Sequence, residues 1–172
     1  MLKIIAGKWK GRLLTSPKGN ITRPTAAMVR QAVFNICQHK ISGVRFLDVC
    51  AGSGAMGFEA LSRGADSALF IESHRFAQEC IRKNGALLGM EATIVPTLKR
   101  LRGQFDIVYI DPPYEVSPRL FIDELVAYQL LAEGATIFIE TKAKIASWDP
   151  LTIISSRLFS DVYVYECEFR KA

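Results

Sequence analysis

The chain has 172 residues, 49% hydrophobic and 23% charged, which suits one compact domain with one substantial core and is too short for two ordinary ones. Its four cysteines, at positions 37, 50, 80 and 167, form no CxxC pair and have only His39 and His74 beside them, so neither a metal centre nor a disulfide framework is expected. Residues 1–45 hold nine of the 22 Lys and Arg and no acid, a balance of +9, whereas the other 13 face all 17 acids, a balance of −4; that asymmetry predicts a basic arm for a polyanion on an ordinary body.

In chain order, the short apolar runs 2–5 (LKII) and 12–15 (RLLT) flank Gly7-Lys8-Trp9-Lys10-Gly11, which predicts a hairpin with a basic, aromatic tip. Residues 1–24 are therefore read as an N-terminal extension and 25–172 as the body. A loop follows at Pro17-Lys18-Gly19-Asn20. Pro24-Thr25 then opens a helix that places Met28, Val29, Ala32, Val33, Ile36 and Cys37 on one face. From Arg45 onward strands alternate with helices. Strands are predicted at 45–49, 67–71, 92–96, 105–110 and 135–140, with helices near 55–63, 73–89 and 117–131. Short apolar strands between helices imply an α/β fold with a mostly parallel sheet covered on both faces. Two last strands, about 151–159 and 162–169, meet at Ser160-Asp161 without a helix, which predicts an antiparallel hairpin at the end of the sheet.

The first strand runs into Asp48-Val49-Cys50-Ala51-Gly52-Ser53-Gly54-Ala55-Met56-Gly57. Glycines at this turn let the backbone approach a ligand, and the helix that follows presents free N–H groups. Gly52-x-Gly54-x-x-Gly57, with Glu72 20 positions after Gly52 at the end of strand two, fits a nucleotide-like cofactor whose ribose hydroxyls donate to Glu72. By itself the pattern serves a nicotinamide enzyme as well as a methyltransferase. Asp48 separates them: a pyrophosphate gains nothing from an anion at the strand end, whereas a cofactor with an ammonium group and a sulfonium charge does. Its alternative role is to cap the loop, and the two roles are compatible.

Strand four ends in Ile110-Asp111-Pro112-Pro113-Tyr114. Two prolines fix two φ values and remove two N–H donors, holding a carboxylate and a carbonyl rigidly at the carboxyl edge, where ligands bind in open α/β sheets. An exocyclic base amine is a poor nucleophile because its lone pair is delocalised into the ring. If Asp111 and the Pro112 carbonyl each accept one N–H, the nitrogen moves toward sp³ geometry and its lone pair can be aimed. Tyr114 offers a ring face to the extruded base, worth about 1–3 kcal/mol.

The glycine loop followed by Asp-Pro-Pro-Tyr resembles the class I, Rossmann-like methyltransferases that use S-adenosylmethionine. The whole chain is similar to the bacterial 16S ribosomal RNA guanine-N2 methyltransferases of the guanine-966 type, through IIAGKWKGRLL (4–14), TRPTAAMVRQAVFNI (22–36), FLDVCAGSGAMGFEALSRGA (46–65), FIE (70–72) and FDIVYIDPPY (105–114). The resemblance implies a seven-stranded sheet with the last strand antiparallel beside the fifth. It assigns Asp48, Ala51, Gly52, Ser53, Gly54 and Glu72 to the cofactor, and Asp111, Pro112, Pro113 and Tyr114 to the reacting base. It implies ribosomal RNA, free or within the small subunit, as partner; the free cysteines without a disulfide framework point to a reducing, cytoplasmic compartment, and a monomer is expected. Two departures stand out: Pro96-Thr97 occupies a position that is usually acidic near the cofactor adenine, and Ala26-Ala27-Met28 and Gln31 stand where acids are common.

Lys8, Lys10 and Arg12 are expected at RNA phosphates, the alternative being a solvated surface; Arg23 is read as contacting RNA, with closure over the cofactor or a helix-surface salt bridge as its alternatives. Trp9 has two readings, stacking on a base or sugar and anchoring the hairpin to the body. Arg30 is read as closing over the cofactor, contacting RNA or forming a helix-surface salt bridge. His74 is expected exposed at a helix start, Cys50 in packing, and Ser53 without hydrolytic chemistry since no His–Asp pair attends it. The expected reaction is direct in-line methyl transfer, without metal or covalent enzyme intermediate. Alternatives from the residues alone are an adenine-N6 methyltransferase, a nucleic-acid-binding module with a degenerate cofactor site, and a nicotinamide oxidoreductase.

Overall fold

A computed structural model describes residues 1–17 and 24–172, so Arg23 and the loop expected at residues 18–20 lie outside the described residues. The element order is α1 (Pro24–Ile36), β1 (Arg45–Val49), α2 (Ala55–Ser62), β2 (Ser67–Ile71), α3 (Arg75–Leu87), β3 (Thr93–Val95), a 3₁₀ turn (Leu98–Arg100), β4 (Phe105–Ile110), α4 (Pro118–Ala127), β5 (Leu131–Thr141), β6 (Thr152–Phe159) and β7 (Val162–Glu168). The strands form one seven-stranded sheet in the order β3-β2-β1-β4-β5-β7-β6. All pairings up to β4–β5 are parallel, while β7 runs antiparallel to both β5 and β6. The order reverses beside β1, which opens a crevice at the carboxyl ends of β1 and β4.

Side-chain alternation divides the core in two. Phe46, Phe70, Ile107, Tyr109 and Phe138 pack on one face against Val33 and Phe34 of α1, Phe58 of α2 and Ile81 of α3. Leu47, Val108, Ile110 and Ile139 pack on the other against Ile122 and Leu125 of α4. Because strand residues alternate with period two, Asp48 shares the first face with Phe46, and Glu140 shares it with Phe138.

Two expectations about elements need correction. The helix predicted over 117–131 stops at Ala127, and β5 begins at Leu131 rather than 135. Gln129 adopts φ 55°; its N–H donates to the Val126 carbonyl (3.0 Å) and the Leu130 N–H to the Leu125 carbonyl (2.9 Å). This is a Schellman cap, with buried Leu125 and Leu130 supplying its hydrophobic contact. The N-terminal segment is less regular than the expected hairpin: one bridge, Lys3 with Leu13, is present, supported by Ile4 N–H to the Arg12 carbonyl (2.9 Å) and Leu14 N–H to the Leu2 carbonyl (2.9 Å). Its tip is also not free-standing. Gly7 (φ +83°) lies so close to α2 that an added Cβ would sit 1.8 Å from the Ser62 carbonyl oxygen, while Lys8 N–H donates to that oxygen (2.8 Å) and Trp9 N–H to Ser62 Oγ (3.0 Å).

Beneath this docked segment lies Glu59, with no exposed side-chain surface. Its carboxylate accepts the Ile5 N–H (2.8 Å) and the Ala6 N–H (3.0 Å), the Arg63 Nε (2.8 Å), and stands 3.7 Å from Arg30 Nε. Arg30 itself is buried and donates to the Lys3 carbonyl (2.9 Å). It is therefore an internal strut of the arm, and the readings that put it over a cofactor, on RNA or in a surface salt bridge are overturned.

Candidate active site

The loop from β1 to α2 is held from three sides. Asp48, 2% exposed, accepts the Gly57 N–H through Oδ2 (3.0 Å), bracing the first turn of α2. Glu72 accepts the Gly52 N–H (2.9 Å) and the His74 N–H (2.8 Å). Asn84, fully buried on α3, donates to the Ser53 carbonyl (2.9 Å) and the Thr15 carbonyl (2.9 Å) and accepts the Thr15 N–H (2.7 Å). One amide thus ties the loop to the basic arm.

The three glycines have different roles. A Cβ on Gly57 would meet the Phe70 ring at 2.4 Å and one on Gly54 the Phe58 ring at 2.8 Å, so these two serve helix–strand packing. Gly52, at φ +57°, faces open space with nothing within 4 Å of its Cβ position. It is the point where a ligand can meet backbone. Ala51 N–H is engaged by the Ile71 carbonyl (3.0 Å) and Gly54 N–H by the Ala51 carbonyl (2.7 Å).

Asp111 follows β4 on the neighbouring strand end, its N–H reaching the Val49 carbonyl (3.3 Å). Pro112 is buried, whereas Pro113 and Tyr114 are exposed. They border a cleft of about 560 Å³ that Glu140, Lys142 and Trp148 also line. The Lys142 ammonium lies 4.2 Å from the centroid of the Tyr114 ring. Glu140, at the end of β5, accepts a hydrogen bond from the hydroxyl of buried Tyr109.

Electrostatics at this edge are one-sided. Burial pushes the Asp48 carboxyl up to about 8, with Glu72 adding to the rise against the Gly57 hydrogen bond. Asp111 is held well above the ordinary carboxylate range, first by burial and then by Glu140 and Asp48. Burial also raises Glu140, although the Tyr109 hydroxyl opposes it. Among the described residues, the charged neighbours that shift Asp48 and Asp111 are all acidic. A cationic ligand would relieve this crowding, whereas a pyrophosphate would aggravate it.

Cys50 has its thiol pushed up to about 12 by burial and by Glu72, Asp111 and Asp48, the opposite of a nucleophile's environment. His74 is exposed before α3. Trp9 is half-buried against the first core, the anchoring arrangement, with the Lys8 ammonium 4.2 Å from its ring centroid. Lys8, Lys10 and Arg12 are exposed. Among the described residues no group of three His, Cys, Asp or Glu side chains can hold a metal ion, and no helix is long and apolar enough to cross a membrane. Sequence reasoning missed Glu59, Asn84, Tyr109 and Glu140. A lone acid in the apolar helix AMGFEALS, and an Asn on the inward face of α3 with Ala77, Cys80 and Ile81, are the signals that mark the first two.

The fold and the strand-end loops together define a Rossmann-like methyltransferase. A solved structure described as "Putative methyltransferase yhhF" from Escherichia coli superposes with a TM-score of 0.89 at 30% identity, covering 99% of this chain and 98% of that one. The chain belongs to the family described as Conserved hypothetical protein 95, whose model matches residues 2–165. It is 33% identical over 153 residues to Ribosomal RNA small subunit methyltransferase D of Escherichia coli, covering 83% of this chain and 76% of that protein. The protein of the same name from Haemophilus influenzae is 34% identical over 152 residues, covering 82% and 79%.

Proposed function

We propose that the chain transfers a methyl group from S-adenosylmethionine to the exocyclic N2 of a guanine in 16S ribosomal RNA, at the guanine-966 type of site. The observation that carries the reading is the cluster of carboxylates at the strand ends, Asp48, Glu72, Asp111 and Glu140, beside an open Gly52. It suits a positively charged nucleoside cofactor next to an amine-bearing base. The names of the relatives support ribosomal RNA of the small subunit as the substrate class.

When bound, the cofactor supplies an electrophilic methyl group on a sulfonium. Glu72 would take the ribose hydroxyls, the Gly52 backbone would meet the ligand, and Asp48, which braces α2, would balance its ammonium charge. Asp111 and the Pro112 carbonyl accept the two N–H bonds of the base amine and aim its lone pair, and Tyr114 stacks the base. Catalysis then rests on positioning and on acceptors already in place. The test is mass spectrometry of nucleosides from 16S RNA of cells lacking the protein, before and after treatment with the purified enzyme and cofactor. Appearance of N2-methylguanine at one position supports the reading; N6-methyladenine instead replaces it with the adenine enzyme, and no modification refutes it.

Two consequences follow from the assigned roles. Glu72→Ala weakens S-adenosylmethionine and S-adenosylhomocysteine together, by about 1.5–3 kcal/mol, since both carry the same ribose; equal calorimetric affinities in variant and wild type remove Glu72 from the ligand. Neutralising Lys8, Lys10 and Arg12 together, with Arg23 left in place, flattens the log–log salt dependence of RNA binding by about 2, from roughly 0.7 per phosphate contact on single-stranded RNA. An unaltered slope in the triple variant shows that these side chains are solvated surface.

A further inference from the structure

Glu140 belongs to no motif of the sequence, yet it stands at the reaction cleft. In the parallel pair β4–β5, Ile110 is opposite Ile139, so the residues that follow on the two strands are Asp111 and Glu140. Neighbouring strands lie about 4.8 Å apart, and Glu140 is, after burial, the group that most raises the Asp111 carboxyl. The Tyr109 hydroxyl, buried in the first core, donates to Oε2 of Glu140, and Glu140 lines the cleft together with Pro112, Pro113 and Tyr114.

We propose that Glu140, oriented by Tyr109, is a specificity residue that accepts the N1–H of the target guanine while Asp111 holds the adjacent N2 amine. This inference rests on the reading of the chain as a guanine-N2 methyltransferase. Guanine presents two adjacent donors, N1–H and N2–H₂, on one edge. Adenine presents its amine next to an N1 lone pair, and a carboxylate facing that lone pair repels it. When both are ionised the pair at the neighbouring strand ends only accepts, and it therefore selects the donor–donor edge. Guanine also satisfies two carboxylates that otherwise crowd each other, which makes the burial of Glu140 less costly in the complex than in the free protein.

The probe is RNA carrying 2,6-diaminopurine at the target position, which keeps the 2-amine but replaces N1–H by a lone pair. Wild-type enzyme is expected to methylate guanine RNA about 10–100-fold faster than the diaminopurine RNA, the discrimination of one buried base contact. In Glu140→Gln the amide either accepts from or donates to N1, so the preference falls to within about 3-fold. Tyr109→Phe, which keeps the ring and removes the donor, lowers the preference without moving the calorimetric affinity for S-adenosylhomocysteine. It also serves if the Gln variant does not fold. Equal wild-type rates on the two RNAs overturn the assignment, as does an undiminished preference in either folded variant. Absence of any transfer to guanine RNA by the wild type is a separate result that refutes the guanine-N2 reading itself.

Discussion

Asp111→Ala is expected to lower single-turnover methylation by about 10²–10³, the usual loss when one positioned polar partner of the transition state is removed. The structure makes this a clean substitution. Asp111 contacts the fold through its backbone N–H to the Val49 carbonyl, while the charged groups acting on its side chain among the described residues are Glu140 and Asp48. Removing it relieves carboxylate crowding, and among the described residues Asp111 has no ion pair to lose. S-adenosylhomocysteine affinity is expected within a few-fold of wild type, because Glu72 and Gly52 are untouched. Kinetics and calorimetry on the same preparation check both statements. Near-normal single-turnover rates would remove Asp-Pro-Pro-Tyr from the chemistry, whereas a collapse in cofactor affinity would move Asp111 into the cofactor's own site.

The sheet and the two strand-end loops were legible because their signals are local. Alternating strands and helices announce a parallel sheet, and Gly52-x-Gly54-x-x-Gly57 and Asp111–Tyr114 are contiguous. What remained hidden depends on contacts distant in sequence. Asn84 meets Thr15 and Ser53, and Glu59 meets Ile5 and Ala6; no periodicity announces a partner thirty or more residues away. The end of α4 was overrun for a different reason. Its left-handed residue is Gln129 rather than glycine, so the usual stop signal is absent, and the apolar run beyond it reads equally well as helix or strand. The three glycines of the loop looked equivalent in sequence, and only packing separates Gly52, open to a ligand, from Gly54 and Gly57, which abut Phe58 and Phe70.

Glu59→Ala is expected to destabilise the protein by about 3–5 kcal/mol, the cost of breaking a buried charge pair from one side. Its carboxylate is the common acceptor for two backbone N–H groups of the arm and for the Arg63 side chain, with Arg30 close by. Arg30 and Arg63 are 6% and 12% exposed at the side chain, so neither can hydrate fully once its partner is gone. Burial already disfavours the charge on Arg30, and Glu59 is the first group that restores it. Loss of the carboxylate therefore also loosens residues 3–9 from α2, which places the basic tip where RNA would meet it. Urea denaturation of the variant measures the first effect, and proteolysis confined to the arm the second. A change below about 1 kcal/mol would mean that water enters the site and satisfies both guanidinium groups. Retention of an arm as protected as in wild type would show that Ser62, through Ala6, Lys8 and Trp9, holds the segment without Glu59.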